Sequence, residues 1–185
     1  MKRVLIALCF LTLMAAPSWA GGGGIGVFGA AWGPDQADGI FGGGAKIEAS
    51  VGHGLDFEFK TSFFDRLQSS LPSGREFEFS TTIAEMGLAY NFGRDKNLNP
   101  YLGVGMSYYL FDVVDEDIGS IGNETGWYFE GGLEIPIGVR WAFFVEAMWR
   151  EVDMTLKGDD LGFETRKEIF DMGGAAANVG FMMTW

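Results

Sequence analysis

Apolar and polar residues alternate along most of the chain beyond residue 20. Between residues 55 and 63, the odd positions are mostly leucine and phenylalanine, whereas the even positions are charged or carry a hydroxyl group. Residues 44–51, 127–135 and 141–150 show the same period of two. Because successive side chains of a β-strand point to opposite faces, this period is typical of strands with two different faces. An all-β protein is therefore predicted.

The alternating segments predict eight strands. They cover approximately residues 23–33, 42–51, 55–63, 77–92, 100–111, 126–135, 139–151 and 169–185. Short turns such as Gly52-His53-Gly54 alternate with longer polar links, at approximately 34–41, 64–76, 112–125 and 152–168. This alternation predicts antiparallel strands that run up and down, with the loops at one end.

Two architectures bury such strands. A soluble β-sandwich turns its apolar faces inward, whereas a transmembrane barrel turns them toward lipid and encloses the polar faces. The barrel explains the spacing of Trp141 and Trp149, which is about 20 Å along the membrane normal for a tilted strand and close to the apolar band of such barrels. It also explains a last strand that alternates up to Trp185, because closure removes the sheet edge. We predict an eight-stranded antiparallel up-and-down transmembrane β-barrel, with the sandwich as the alternative.

The fourth predicted strand is irregular. Phe77, Phe79 and Ile83 have the opposite parity to the apolar residues that follow them. A bulge near Thr81 or Thr82, or a segment that rises beyond the membrane, would reconcile the two halves.

Three segments carry a resemblance to a known group. They are Ser18-Trp19-Ala20, Pro100-Tyr101-Leu102-Gly103-Val104-Gly105 and the final Val179-Gly180-Phe181-Met182-Met183-Thr184-Trp185. The chain resembles the small bacterial outer-membrane β-barrel superfamily of OmpA-like, OmpX-like and OmpW-like proteins, although a terminal Trp replaces the more usual Phe. The resemblance implies a location in the outer membrane of a Gram-negative-type bacterium. It also implies a terminal assembly signal at Val179, Phe181, Met183 and Trp185, read by the barrel-assembly machinery, but no single activity.

Residues 1–20 are predicted to be a cleaved signal peptide. A basic start precedes an apolar run from Val4 to Ala16, and Ser18-Trp19-Ala20 offers small residues where a signal peptidase reads. The barrel domain would then comprise residues 21–185.

Composition excludes several functions. The chain has 13 basic and 25 acidic residues and a net charge of -12, which argues against a nucleic-acid partner. Its single cysteine excludes an internal disulfide framework, and its single histidine disfavours a multi-histidine zinc site. No cofactor is predicted.

The charged faces should line the barrel interior. The predicted lumen-lining residues are Lys46, Glu48, Asp56, Glu58, Lys60, Glu85, Glu130, Glu134, Glu146 and Arg150. Buried charges need partners, so a salt-bridge plug is one interpretation. A narrow cation-preferring path along the excess carboxylates is the other, whereas an open porin would need about 16 to 18 strands. The predicted interfacial aromatics are Trp127, Trp141, Trp149, Tyr90 and Tyr101.

Three motifs are consistent with structural positions. Residues 24–29 match GxGxxG, but no strand precedes them and no helix follows, which disfavours a dinucleotide site. His53 lies in a turn at the end away from lipid A, so a lipid-modifying enzyme is disfavoured. The acidic stretch 112–124 fits no EF-hand loop. No catalytic residue and no metal ligand are predicted.

The favoured function is a non-enzymatic structural or surface-interaction role through four extracellular loops. Passive passage of small apolar or ionic solutes, as OmpW-like and porin-like barrels suggest, is one alternative, and a lipid-modifying enzyme is another. The expected partners are outer-membrane lipid, lipopolysaccharide and the barrel-assembly machinery, and the expected state is a monomer.

We expect the mature protein to require detergent for extraction from membranes, because its apolar faces would contact lipid. Unheated and boiled samples should migrate differently on a gel, since closed barrels resist detergent until heated. Release by plain buffer, without a heat-dependent shift, would exclude a membrane barrel.

Overall fold

The computed structural model describes residues 22–70, 76–93, 97–113, 120–157 and 167–185. The predicted signal peptide and its cleavage site lie outside these residues. In the described part of the chain, no helix combines the length and apolar character needed to cross a bilayer.

The described residues form strands joined by turns and short links. Their bounds are β1 Gly23–Pro34, β2 Ile40–Gly52, β3 Leu55–Ser70, β4 Glu76–Asn91, β5 Asn99–Val113, β6 Ser120–Ile121, β7 Glu124–Pro136, β8 Trp141–Glu151, β9 Asp153–Lys157, β10 Lys167–Asp171 and β11 Gly174–Thr184. Eight strands close into a barrel in the order β1-β11-β8-β7-β5-β4-β3-β2, and β10-β9-β6 form a separate sheet. All neighbours are antiparallel, which confirms the predicted eight-stranded barrel.

The first and last strands complete the barrel. β1 and β11 pair continuously from Gly24 opposite Thr184 to Pro34 opposite Gly174. The end of the barrel that holds Gly22 and Trp185 is called the terminal end here, and the opposite end is called the loop end. The Gly52-His53-Gly54 turn lies at the terminal end, and all three residues have positive φ, including 56° at His53.

Several predicted boundaries are wrong at the loop end. The link expected at 64–76 is mostly strand, because β3 extends to Ser70 and β4 begins at Glu76. The links expected at 112–125 and 152–168 contain β6 and β9, and the last predicted strand is divided into β10 and β11. The upper part of β3 has polar residues on its outer face, which give it the composition of a loop although Phe64 and Leu67 on its other face are buried.

The irregular fourth strand has a different explanation from a bulge near Thr81 or Thr82. β4 pairs with β5 without a register shift, and its inward residues Phe79 and Ile83 are 0% exposed. The register shift lies in the neighbouring β3, where Phe64 and Leu67 pair with Thr81 and Phe79. The bulge therefore belongs to β3, and β4 keeps one parity throughout.

The barrel reverses its polarity toward the loop end. At about 3.3 Å per residue and a tilt of about 40°, a strand as long as β3 rises about 40 Å, which exceeds the apolar band of about 25 Å. In the upper part of β3, Asp65, Arg66 and Gln68 are exposed on the outside. Phe64 and Leu67 are buried inside. This part is polar outside and apolar inside, as expected for a segment that rises beyond the membrane into water.

We expect Gly180→Ala to destabilise the barrel by about 1–3 kcal/mol, because a Cβ there overpacks the interior. That atom would clash with the Val27 carbonyl oxygen and lie 2.7 Å from Phe144 Cζ. Gly29→Ala is the matched control, since a Cβ at Gly29 meets no atom within 4 Å. Urea unfolding in lipid vesicles measures both variants, and equal midpoints would contradict the packing described here.

Candidate functional site

The barrel interior contains the charged residues of the transmembrane strands. Nine of the ten predicted lumen-lining side chains are at most 8% exposed, and the tenth, Glu134, is half-buried. Eight of the ten fall into two groups that are bonded across the barrel. The first, called the glutamate–lysine cluster here, consists of Lys46, Lys60, Glu48, Glu58, Glu130 and Glu146.

Lys46 joins three carboxylates of the glutamate–lysine cluster. Its Nζ lies 2.7 Å from Glu146 Oε1 and 2.9 Å from Glu58 Oε1. It also lies 3.4 Å from Glu48 Oε2. Because four glutamates share two lysines, the cluster is acidic overall.

Lys60 is surrounded by the three carboxylates that could otherwise hold a metal ion. One oxygen each of Glu58, Glu130 and Glu146 lies within 4.8 Å of the others. The Lys60 ammonium bonds to Glu130 and lies 3.8 Å from both Glu58 Oε2 and Glu146 Oε2. Lysine therefore supplies the cation for this carboxylate group, and a divalent ion would compete with it for the same oxygens.

Tyr101 also belongs to the interior, so its predicted place among the interfacial aromatics is wrong. It is 4% exposed, and its hydroxyl donates a hydrogen bond of 2.6 Å to Glu146 Oε1. Its ring packs over Gly132, where an added Cβ would clash with ring atoms. The Tyr101 hydroxyl thus provides a hydrogen-bond donor for the buried carboxylate of Glu146. At the membrane interface, water or lipid headgroups would bond to that hydroxyl instead.

The second charged group is the pair of Arg150 and Glu85. Arg150 Nε donates to Glu85 Oε1 over 2.9 Å, and Nη2 donates to Glu85 Oε2 over 3.3 Å. Both side chains are 0% exposed. Such a two-point contact fixes the orientation of the guanidinium as well as balancing its charge.

Aromatic side chains fill the interior beyond this pair, toward the loop end. The inner aromatic cluster consists of Trp32, Phe64, Phe79, Tyr109 and Phe111, all at most 6% exposed. Its ring centroids lie 5.5 Å apart for Trp32–Phe64, 6.1 Å for Trp32–Tyr109 and 5.8 Å for Tyr109–Phe111. The Arg150 guanidinium lies 5.7 Å from the Trp32 ring centroid, where the charged and apolar parts meet.

Sequence reasoning missed the inner aromatic cluster, because the inward faces were expected to be polar along the whole barrel. One signal was present. Phe79 and Ile83 have inward parity, and so does Trp32 on β1. At the loop end, where the outer face of β3 is polar, large apolar residues of inward parity indicate a segment that lies beyond the membrane.

The other predicted aromatics lie on the outer surface. Trp127, Trp141, Trp149 and Tyr90 are between 37% and 54% exposed. The terminal residues Val179, Phe181, Met183 and Trp185 also face outward, with exposures between 40% and 66%.

A cavity of about 260 Å³ opens at the terminal end and borders the glutamate–lysine cluster at Glu48. Its lining includes Glu48, Asn99, Glu134, Trp141 and Trp185.

The remaining motifs occupy structural positions. Residues 24–29 form part of β1, and His53 is an exposed turn residue. In the acidic stretch, Asp112 and Glu124 lie on strands, whereas Asp115, Glu116 and Asp117 lie outside the described residues.

Glu85→Gln should destabilise the protein by about 3–5 kcal/mol, because Arg150 would keep a buried charge without a carboxylate partner. Arg66→Gln is the matched control, since the Arg66–Asp65 pair is 3.9 Å long and largely exposed. The control should change stability by no more than about 1 kcal/mol. Urea unfolding in detergent micelles measures both, and a Glu85→Gln effect as small as the control would contradict a buried ion pair.

Comparisons with known proteins agree with this architecture. Residues 4–180 match the family described as "Outer membrane protein beta-barrel domain". No curated protein sequence matches the chain. The outer membrane protein OprG from Pseudomonas aeruginosa is 16% identical, with 89% of this chain and 96% of that chain covered and a TM-score of 0.75. For the outer membrane protein AlkL the values are 17% identity, 92% and 93% coverage, and a TM-score of 0.64. E. coli Outer Membrane Protein W is 14% identical, with 89% of this chain and 100% of that chain covered and a TM-score of 0.57. The chain therefore belongs to the outer membrane protein β-barrel family, as an eight-stranded barrel of the Gram-negative outer membrane.

Proposed function

We propose that the protein is a non-enzymatic passage for small apolar molecules, which enter at the loop end and leave sideways into the membrane. The observation that carries this proposal is the change in the interior from the inner aromatic cluster to the charged groups below it. An apolar molecule packs favourably against aromatic rings, whereas placing it among buried charges would cost free energy by separating them from their partners. The charged groups thus act as a floor that stops further movement along the barrel axis.

The floor also disfavours an ionic path. Lys60 and Glu85 are 0% exposed, so no water-filled path for an ion runs past these charged groups. Lysine and arginine nitrogens already bond to the carboxylates that a passing cation would need. Of the two sequence interpretations, the salt-bridge plug is the one we propose.

A seam in the wall offers the sideways exit. β2 pairs with β3 only as far as Gly42 opposite Phe64, although β2 begins two residues earlier at Ile40. The bulge at Asp65-Arg66 interrupts the regular pairing of β3 at the same level. Phe41, on the outer face beside the seam, is 85% exposed. The ladder between the two segments is therefore interrupted above Gly42, up to Asp38, whose N–H donates to the Gln68 carbonyl oxygen over 3.1 Å.

The surroundings follow from the same proposal. The loop end would face the exterior and contact lipopolysaccharide, while the termini would lie in the periplasm after removal of residues 1–20. The outward residues Val179, Phe181, Met183 and Trp185 would form the signal for the barrel-assembly machinery. The protein would act as a monomer, since its passage needs one barrel.

A surface-interaction role through the loop end is the second candidate. The sheet β10-β9-β6 favours it, because this sheet is not part of the barrel ladder and Ile169 on it is 62% exposed. Such a role does not depend on the seam.

Uptake of N-phenylnaphthylamine by intact Gram-negative cells tests the passage, because this apolar dye fluoresces once it reaches the phospholipid. Cells that express the protein should take up the dye several-fold faster than cells without it. Deletion of Arg66 removes the extra residue of the bulge and should let the β2–β3 ladder run without interruption, which would abolish the gain. Arg66→Gly is the matched control that keeps the bulge and should preserve uptake.

All variants need equal amounts of heat-modifiable protein in the outer membrane for the comparison. A hydrophilic β-lactamase substrate should enter at the same rate in every strain, which shows that the membrane is intact. Dye uptake that is independent of the protein would refute the passage. Rapid uptake by the Arg66 deletion would refute the seam as the exit.

A further inference from the structure

Two neighbouring side chains at the top of the charged floor, Trp32 and Arg150, each carry a buried N–H donor. Trp32 Nε1 and Arg150 Nη1 have no hydrogen-bond partner among the described residues. Trp32 is 1% exposed and Arg150 is 0% exposed. Buried donors in folded proteins are nearly always paired, because an unpaired one keeps the full cost of leaving water.

The two donors cannot easily turn to other acceptors. Glu85 holds the guanidinium, because its two carboxylate oxygens accept hydrogen bonds from Nε and Nη2. The Nη1 group does not take part in this contact. Trp32 is held by its contacts with Phe64 and Tyr109. Hydroxyl groups can rotate toward a backbone carbonyl, whereas the direction of an indole or guanidinium N–H is fixed by the position of the whole ring or fork.

Their surroundings define the matching ligand. The Arg150 guanidinium lies 5.7 Å from the Trp32 ring centroid and 5.9 Å from that of Phe64. A group that accepts both N–H bonds would therefore sit at the base of the inner aromatic cluster, with its apolar body among the rings. The ligand must combine a hydrogen-bond acceptor with a small apolar body.

The local charge excludes an anionic acceptor. Arg150 is already balanced by Glu85, and the glutamate–lysine cluster below has four carboxylates for two ammonium groups. A carboxylate ligand would add a negative charge to an interior that is already acidic, at low dielectric. A carbonyl, ester or ether oxygen accepts the same hydrogen bonds without that penalty.

From these contacts we infer that Trp32 Nε1 and Arg150 Nη1 form a binding site for neutral apolar molecules that carry a carbonyl, ester or ether oxygen. This inference rests on the proposed passage, because the passage is what would bring an apolar molecule to the inner aromatic cluster. The two donors would then decide which of these molecules bind there. It assigns the pair a positioning role: molecules with an acceptor are retained at the floor beside the seam, whereas plain hydrocarbons are not.

Three probes of similar size test the site: acetophenone, ethylbenzene and benzoate. The full mature protein, labelled with ¹⁵N-tryptophan, is placed in lipid nanodiscs, and each indole N–H signal is followed during titration. Trp32→Phe and Trp149→Phe assign two of the signals. Trp149 serves as the internal control, because it faces outward and donates to Glu151.

Acetophenone should move the Trp32 N–H signal downfield with saturation, and it should bind about tenfold more tightly than ethylbenzene, as one to two net hydrogen bonds would give. Benzoate should not displace it. Arg150→Lys keeps the charge but loses the fork, so it should remove most of the preference for the ketone. Because the three probes are compared in the unaltered protein, the test does not depend on whether that variant folds.

Three results would overturn the inference. A Trp32 signal that does not respond to acetophenone would leave the donors without a ligand role. A Trp32 shift equal to that of Trp149, without saturation, would show only partition into lipid. Equal affinity for acetophenone and ethylbenzene would remove the acceptor requirement. In each case dye uptake that still depends on the Arg66 bulge would leave the proposed passage standing.

Discussion

Pairing of every backbone N–H and C=O within the hydrocarbon layer is the constraint on which this structure depends. No water is available there, so each strand must have two neighbours and the sheet must close. The continuous β1–β11 ladder meets this requirement by joining the two ends of the chain. Closure then encloses the inner face of every strand in a narrow space. Any charge placed on that face must find its partner inside the barrel.

The cross-barrel ion pairs are the result of that enclosure. Lys46 on β2 bonds to Glu146 on β8, and the residues are 100 positions apart in the chain. Lys60 on β3 bonds to Glu130 on β7, which lies 70 positions away. Both pairs join strands three places apart around the ring. Buried ion pairs often add little net stability, but a missing partner is costly. They therefore act mainly by disfavouring wrong registers, because a slip of one residue would turn the charges toward lipid.

The membrane part of the fold could be predicted from sequence because lipid imposes one rule on every strand. Charges such as Glu58 and Glu146 cannot face hydrocarbon, so alternation alone assigns their side. The bonds among them could not be predicted, since they depend on how far each strand is staggered around the ring. Tyr101 was misplaced although it has the same parity as Gly103, which faces the interior beside Glu130. The sequence is compatible with either orientation for a tyrosine near a turn. The choice depends on its hydrogen-bond partner, here Glu146, which only the structure reveals.

The same rule fails where the strands leave the membrane, and this is where the proposed site lies. Water outside the barrel favours Asp65 and Gln68 on the outer face, so Phe64 and Leu67 can pack within, as in a soluble core. Burying Arg150 Nη1 and Trp32 Nε1 without acceptors lowers stability, because each donor loses its hydrogen bonds to water. Apolar residues of similar volume at these positions would avoid that loss of free energy. These donors lie at the boundary between the two zones, where an apolar interior meets a charged floor and the β2–β3 ladder is interrupted. The three features coincide at one level of the barrel, which a purely structural core does not require.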